Sequence, residues 1–345
     1  MFKIQRMKRT VTAIFILLNL PCFGQTNIQA IVDTVLMRTK EISLYTSTVN
    51  WDSLQKQVHE KAANAKTIEE LKPAFELLIN RLRDHHGRIQ HAGNYSNIAW
   101  FTDHKNHRHP EKRTKEMAVW KIMNNPDARF EYQVLKDRTG YLKIVGIGPN
   151  VDIEKESARI RNAVIKMYGQ KIDRWIIDMR YNAGGNMHPM MAGIAPLIGD
   201  GMVGSLVNLN NEKLFDWEIK NGNFIYDGYQ AVNLANKPVF KKQAKIAVLT
   251  SRWTESSGEV VATALKGRPA TKFFGEATGG ATTNTNGENI AGAIILNIST
   301  GIFCDRKGIA YEHNIPVDVE VPFEVVKDPA KDACILAAQK WLKEK

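Results

Sequence analysis

The chain is predicted to be an α/β protein, with a helical region leading into a core of parallel βαβ units. Three observations carry this. Residues 26 to about 84 repeat apolar side chains at helical spacing. From about residue 130, apolar strand-like runs alternate with amphipathic stretches. The run Trp175-Ile176-Ile177-Asp178 ends in Asn182-Ala183-Gly184-Gly185 and passes directly into a Met-rich helical stretch. The 345 residues suffice for one large domain or two smaller ones. A 43% hydrophobic and 24% charged composition is that of an ordinary globular chain.

Residues 1–24 read as a secretory signal. A basic segment, Lys3 to Arg9, precedes the apolar stretch Thr10 to Leu20, and Cys22 and Gly24 are the small residues before a cleavage at Gln25. The apolar run is too short to span a bilayer, and no later stretch is long and apolar enough to do so. A lipoprotein anchor through Cys22 is disfavoured by Pro21 before it. Export to the periplasm or the extracellular space is therefore expected. Loss of Lys3, Arg6, Lys8 and Arg9 lowers the net charge from +11 to +7. The remaining excess is dispersed along the chain, which argues against nucleic acid as a partner.

Residues 25–90 are expected to form a helical domain. Ile28, Ile31, Val32, Val35 and Leu36 mark the first helix, Trp51, Leu54, Val58 and Ala62 the second, and Leu71, Phe75, Leu78 and Leu82 the third. Thr67 and Glu70 match a capping box. Residues 91–130 read as a connecting loop region, and residues 131–345 as the α/β core with a C-terminal helix. Within that core, Gly140–Ile144 is a strand, Asp152 caps the helix after it, and 202–240 suggests an inserted hairpin. Ile246–Leu249, Phe273–Phe274 and the apolar run Ala293–Phe303 are further strands, and Cys334, Leu336, Ala337 and Trp341 mark the closing helix. Cys304 and Cys334 would be either a disulfide or two buried thiols.

Three places carry chemistry. Thr254-Glu255-Ser256-Ser257-Gly258-Glu259 follows a strand and opens a helix, so it sets a serine beside unpaired N–H groups and a positive dipole end. Gly184-Gly185 forms a strand-to-helix turn whose backbone N–H groups can approach a ligand closely. Asp84-His85-His86-Gly87 puts histidines where a helix gives way to a loop, a place for a general base. The three histidines of Asp103–Pro110 lie in a basic stretch that repels cations, so no metal and no cofactor is expected.

Four segments in this order resemble the tail-specific (C-terminal-processing) and tricorn-core serine peptidases. They are Asp84–Gly87, Asp178-Met179-Arg180-Tyr181-Asn182-Ala183-Gly184-Gly185, Thr254–Glu259 with Phe274–Gly280, and Glu312–Asp318. The resemblance covers roughly residues 65–325 and implies a crotonase/Clp-like core of stacked βαβ units with a helical N-terminal domain. It implies hydrolysis of a peptide or protein substrate through an acyl-enzyme, with Ser256 as nucleophile. The oxyanion donors it implies are the N–H of Ser257 and that of Gly184 or Gly185. Where the tail-specific branch carries a lysine base, this sequence has Ala281. The tricorn-like branch uses a histidine, matched by His86, with Glu312 similar to its acidic partner. The serine that precedes that histidine in tricorn is His85 here. The interval between His86 and the Gly140 strand is too short for a PDZ domain, so substrate selection would fall to the helical domain and to residues 202–240. A non-catalytic peptide- or lipophile-binding protein on the same fold is the alternative.

Overall fold

A computed structural model describes residues 27–102, 113–125, 129–148, 150–235 and 243–344. The signal-like segment 1–24 and the histidine-rich stretch 103–110 lie outside them. Among the described residues, no helix is long and apolar enough to cross a membrane.

The first three helices, α1 (Ile28–Ile42), α2 (Trp51–Ala62) and α3 (Lys72–Leu82), are those read from the spacing. Asn27 and Asn50 cap the first two through their side chains. After α3 the chain forms β1 (Arg88–His91), β2 (Asn97–Trp100) and α4 (Arg113–Met123). Residues 91–130 are therefore not simply a loop. β2 buries Ile98 and Ala99, and α4 packs Val119 with Val145, Tyr181 and Phe323. Next come β3 (Phe130–Val134), β4 (Gly140–Ile144), α5 (Ile153–Gly169), β5 (Arg174–Asp178) and α6 (Met187–Ile198). Then follow β6 (Gly201–Val207), β7 (Lys213–Lys220), β8 (Asn223–Tyr226), β9 (Lys245–Thr250) and α7 (Ser257–Leu265). The chain closes with β10 (Thr271–Gly275), β11 (Thr283–Ile290), β12 (Ile294–Asp305), β13 (Val319–Glu320) and α8 (Ala333–Lys343).

The strands form two sheets. One runs β13-β10-β9-β5-β4-β3, parallel except for the β3–β4 hairpin. The other runs β2-β1-β12-β6-β7-β8 and is antiparallel, with β11 also paired to β12. Residues 202–240 thus supply three strands of this second sheet, where an inserted hairpin was expected.

Helices α5, α6 and α7 lie between the sheets. Their apolar side chains share one core with Trp175, Ile177, Ile246 and Val248 of the parallel sheet and with Leu206, Trp217 and Phe303 of the other. The opposite face of the parallel sheet is covered by α8 through Cys334, Ile335, Ala338 and Leu342. Helices α1–α3 cover Ile89, Ile98, Leu296 and Ile298, so the helical region shares a core with β1, β2 and β12. Cys304 and Cys334 are both buried and free, and sit in different clusters.

Candidate active site

The serine turn is built from the parallel sheet. β9 ends at Thr250, and the segment that follows is tied to the end of β5 by side chains and backbone. Ser251 Oγ donates to the Arg180 carbonyl (2.6 Å), Thr254 Oγ1 to that of Met179 (2.8 Å), and Glu255 N–H to that of Asn182 (2.9 Å). Ser256 then caps α7 with φ 55° and ψ −121°. A non-glycine residue held there stores about 1–3 kcal/mol of strain, and such strain gathers at functional sites.

Geometry separates the two adjacent serines. Ser257 Oγ is spent on the Gly185 carbonyl (2.6 Å). The Ser256 backbone N–H is held by the Glu259 carboxylate (2.9 Å), while its hydroxyl donates to no described group. Glu259 also accepts from Thr278 Oγ1 (2.5 Å) and from Gly280 N–H (2.9 Å). It therefore fastens the serine turn to the loop that enters β11. Burial pushes its carboxyl up to about 8 against these three donors.

The glycine turn closes against the serine. A Cβ on Gly184, whose φ is +98°, would lie 2.8 Å from Ser256 Cβ and 3.0 Å from Ser257 N. Gly184 N–H is already bonded to Asn182 Oδ1 (2.9 Å). The N–H groups of Gly185 and Ser257 bond to no described acceptor. The structure thus gathers Ser256, Ser257, Gly184 and Gly185, and of the two glycines it leaves Gly185 with an N–H to offer a developing oxyanion.

The strand behind this turn is locked by ion pairs. Arg180 binds Asp178 (2.7 Å) and Asp332 (2.9 Å), and Asp332 in turn caps α8. Burial pushes the Asp178 carboxyl up, but Arg180 outweighs it and holds the group below the ordinary carboxylate range. Burial likewise opposes the Arg180 charge, and the two aspartates overcome it.

His86 arrives from the turn between α3 and β1. Its Nδ1 faces the Thr283 carbonyl (2.9 Å) and hydroxyl (3.2 Å), while Nε2 is buried without a hydrogen-bond partner. With Nδ1 carrying the proton that these acceptors require, Nε2 presents a lone pair. Burial, reinforced by the nearby Arg88 charge and partly offset by Thr283, lowers the imidazole from 6.5 to about 4. The ring is therefore neutral at physiological pH. It makes no hydrogen bond to Ser256 in this structure.

Glu312 does not stand behind His86. It is exposed, and the Nδ1 side of the ring belongs to Thr283. His85 is also exposed, and its ring lies tilted against Phe101 with centroids 4.1 Å apart. Sequence reading missed Thr283 and Ser299 altogether and gave Asp84 no role. The only signal was the Asp-His-His-Gly junction, because the two hydroxyls come from a distant hairpin. Among the described residues, no group of three or more His, Cys, Asp or Glu could hold a metal ion.

A cavity of about 330 Å³ opens beside these elements, lined among others by Leu206, Phe215, Tyr226, Tyr229 and Asn284. Asn284 adjoins Thr283 and accepts from the Tyr226 hydroxyl (2.7 Å). His188, on the first turn of α6 just beyond Gly185, packs its ring against Phe224, Tyr226 and Tyr229.

A strained serine at a helix start beside a glycine turn, carried on a parallel sheet faced by helices, is an arrangement in which a hydroxyl can be placed as a nucleophile. The chain belongs to peptidase family S41, whose family model matches residues 138–321, more than half of its length. A nisin-resistance protein of Lactococcus lactis subsp. lactis is 25% identical over 302 residues, which is 88% of this chain and 85% of that protein. Among solved structures, a lipoprotein from Streptococcus agalactiae aligns with a TM-score of 0.68 at 21% identity, covering 91% of this chain and 96% of its own. The photosystem II D1 C-terminal processing protease aligns with a TM-score of 0.57 at 12% identity, covering 86% and 94%. These two structures share the fold, and the family gives the chain a peptidase-type function.

Proposed function

We propose that the protein is an exported serine peptidase that cleaves peptide bonds through an acyl-enzyme. The observation that supports this most is the state of Ser256, whose hydroxyl donates to no described group, on a strained turn beside the unbonded N–H groups of Gly185 and Ser257. Ser256 Oγ attacks the scissile carbonyl carbon and its proton passes to His86 Nε2. The two N–H groups receive the oxyanion, and the imidazolium returns the proton to the leaving amine. Water then hydrolyses the ester by the same proton path. The cavity between β6, β7, β8 and β11 takes a substrate side chain, in keeping with selection by residues 202–240. The signal-like layout of residues 1–24 supports export.

A fluorophosphonate probe on the folded protein tests the chemistry. Wild type is labelled at Ser256, Ser256→Ala is not, and His86→Ala labels more than tenfold more slowly. Wild type and Ser256→Ala are then given a peptide library and nisin, the peptide in the relative's name, and only wild type releases fragments. Absence of labelling at neutral pH would exclude the proposal. It would favour the second reading, a binding protein on this fold, which the lack of a hydrogen bond between His86 and Ser256 also favours.

A further inference from the structure

We propose that Asp84 is the acid behind His86 and acts on it through two hydroxyls, those of Ser299 and Thr283. The inference rests on the reading of His86 as the base. The contacts are continuous. His86 Nδ1 lies 3.2 Å from Thr283 Oγ1, Thr283 Oγ1 lies 2.8 Å from Ser299 Oγ, and Ser299 Oγ lies 2.6 Å from Asp84 Oδ1. Asp84 is fully buried, as is Ser299, and Thr283 nearly so.

The polarity of the chain is set at its acidic end. Burial pushes the Asp84 carboxyl up on balance, and the donors partly offset it. In every contact its oxygens accept, from the Ser299 hydroxyl and from the backbone N–H groups of Ser299, Gly87 and His86. In the ionised form a carboxylate only accepts. The Ser299 proton therefore points at Asp84, the Thr283 proton points at Ser299, and the Thr283 oxygen is left to receive Nδ1–H. All three bonds orient toward the carboxylate, and Nε2 alone remains to take the Ser256 proton. No proton travels along the chain. When the imidazolium forms, the aligned dipoles and the carboxylate stabilise its charge, as a directly bonded acid would.

Local structure accounts for the alignment. The β11–β12 register shifts between Asn284 and Thr285, opposite the stretch from Ser299 to Gly301. Such irregularities re-aim side chains beside active sites. Arg88 is the cation that bears on His86, and Glu255 bears on Arg88. Thr283 and Arg88 are therefore the groups that act on the ring directly, with Asp84 behind the first and Glu255 behind the second.

The test uses Thr283→Val, which deletes the hydroxyl and keeps the carbonyl, with Ser299→Ala, their double variant and Thr283→Ser. Peptide hydrolysis is followed for kcat and KM, and the His86 Nδ1 proton by NMR of the folded protein. Each deletion lowers kcat about tenfold with KM unchanged and moves the Nδ1 proton upfield. The double variant loses no more than the worse single, as groups acting in series do, and Thr283→Ser restores both readouts. Full kcat and an unmoved proton in both deletions would overturn the relay, as would additive losses or a larger kcat loss in Glu312→Gln. Without labelling of Ser256 in wild type the peptidase reading fails, and the NMR arm still decides the relay.

Discussion

His86 shows how one half-buried side chain sets a pH range. A general base must be neutral, and burial with the Arg88 charge brings this imidazole down from 6.5 to about 4. The acid limb of kcat/KM is therefore expected near pH 4 and not near 6.5. Arg88→Met removes the second cause and moves the limb upward. A wild-type limb at 6.5, or no response to Arg88→Met, would show that the ring is solvated in the working enzyme. The linkage to stability has the same sign. A depressed imidazole leaves the folded state unprotonated where the unfolded chain binds a proton, so its contribution is intact above 6.5 and is lost as pH falls through 4. The sequence showed that a histidine stood at a helix end, but not what lay behind it. Glu312 was the acid the resemblance offered, whereas Asp84, two positions before the base, reaches the imidazole ring through residues some 200 positions away. The resemblance offered Ser256 over Ser257 as the nucleophile, and in the structure the Gly185 carbonyl takes the Ser257 hydroxyl.

Among the elements, the end of β5 bears the greatest load. Arg180 is nearly fully buried between Asp178 and Asp332, and its backbone carbonyl holds Ser251 in the serine segment. Breaking a buried pair leaves an uncompensated charge and costs about 3–5 kcal/mol, and α8 loses its cap in addition. Asp332→Ala is thus expected to lose at least about 3 kcal/mol in urea denaturation. A loss below about 1 kcal/mol would mean that Asp178 alone satisfies Arg180. This strand was legible because both its faces are apolar, a pattern that parallel strands leave in sequence. β11 left no such pattern. Thr283-Asn284-Thr285-Asn286-Gly287-Glu288-Asn289 is polar, and it forms a strand because Ala291 and Gly292, both at positive φ, return it along β12. β2 was hidden for a related reason, since its four residues bury only two side chains.

In the whole molecule, the site is divided between two supports. The parallel sheet carries Ser256 and Gly185 through α7 and α6, and its lock is the Arg180 network. The other sheet and the helices on it carry His86, Thr283, Ser299 and Asp84. Their core of Phe75, Leu78, Ile89, Leu296 and Ile298 contains no residue of the parallel sheet. A cavity opened there should loosen the base without disturbing the nucleophile. Phe75 is fully buried, and its removal costs about 3–5 kcal/mol. In Phe75→Ala, amide exchange is expected to quicken in α1–α3, β1 and the β11–β12 hairpin, while β5, β9 and α7 keep their protection. Labelling of Ser256 should slow together with the loss of protection at β1, because the base moves while the oxyanion donors stay. Uniform quickening across both sheets would mean that the molecule opens as one unit. In that case the helical layer would stabilise the whole fold and would not serve as the separate mount of the catalytic base.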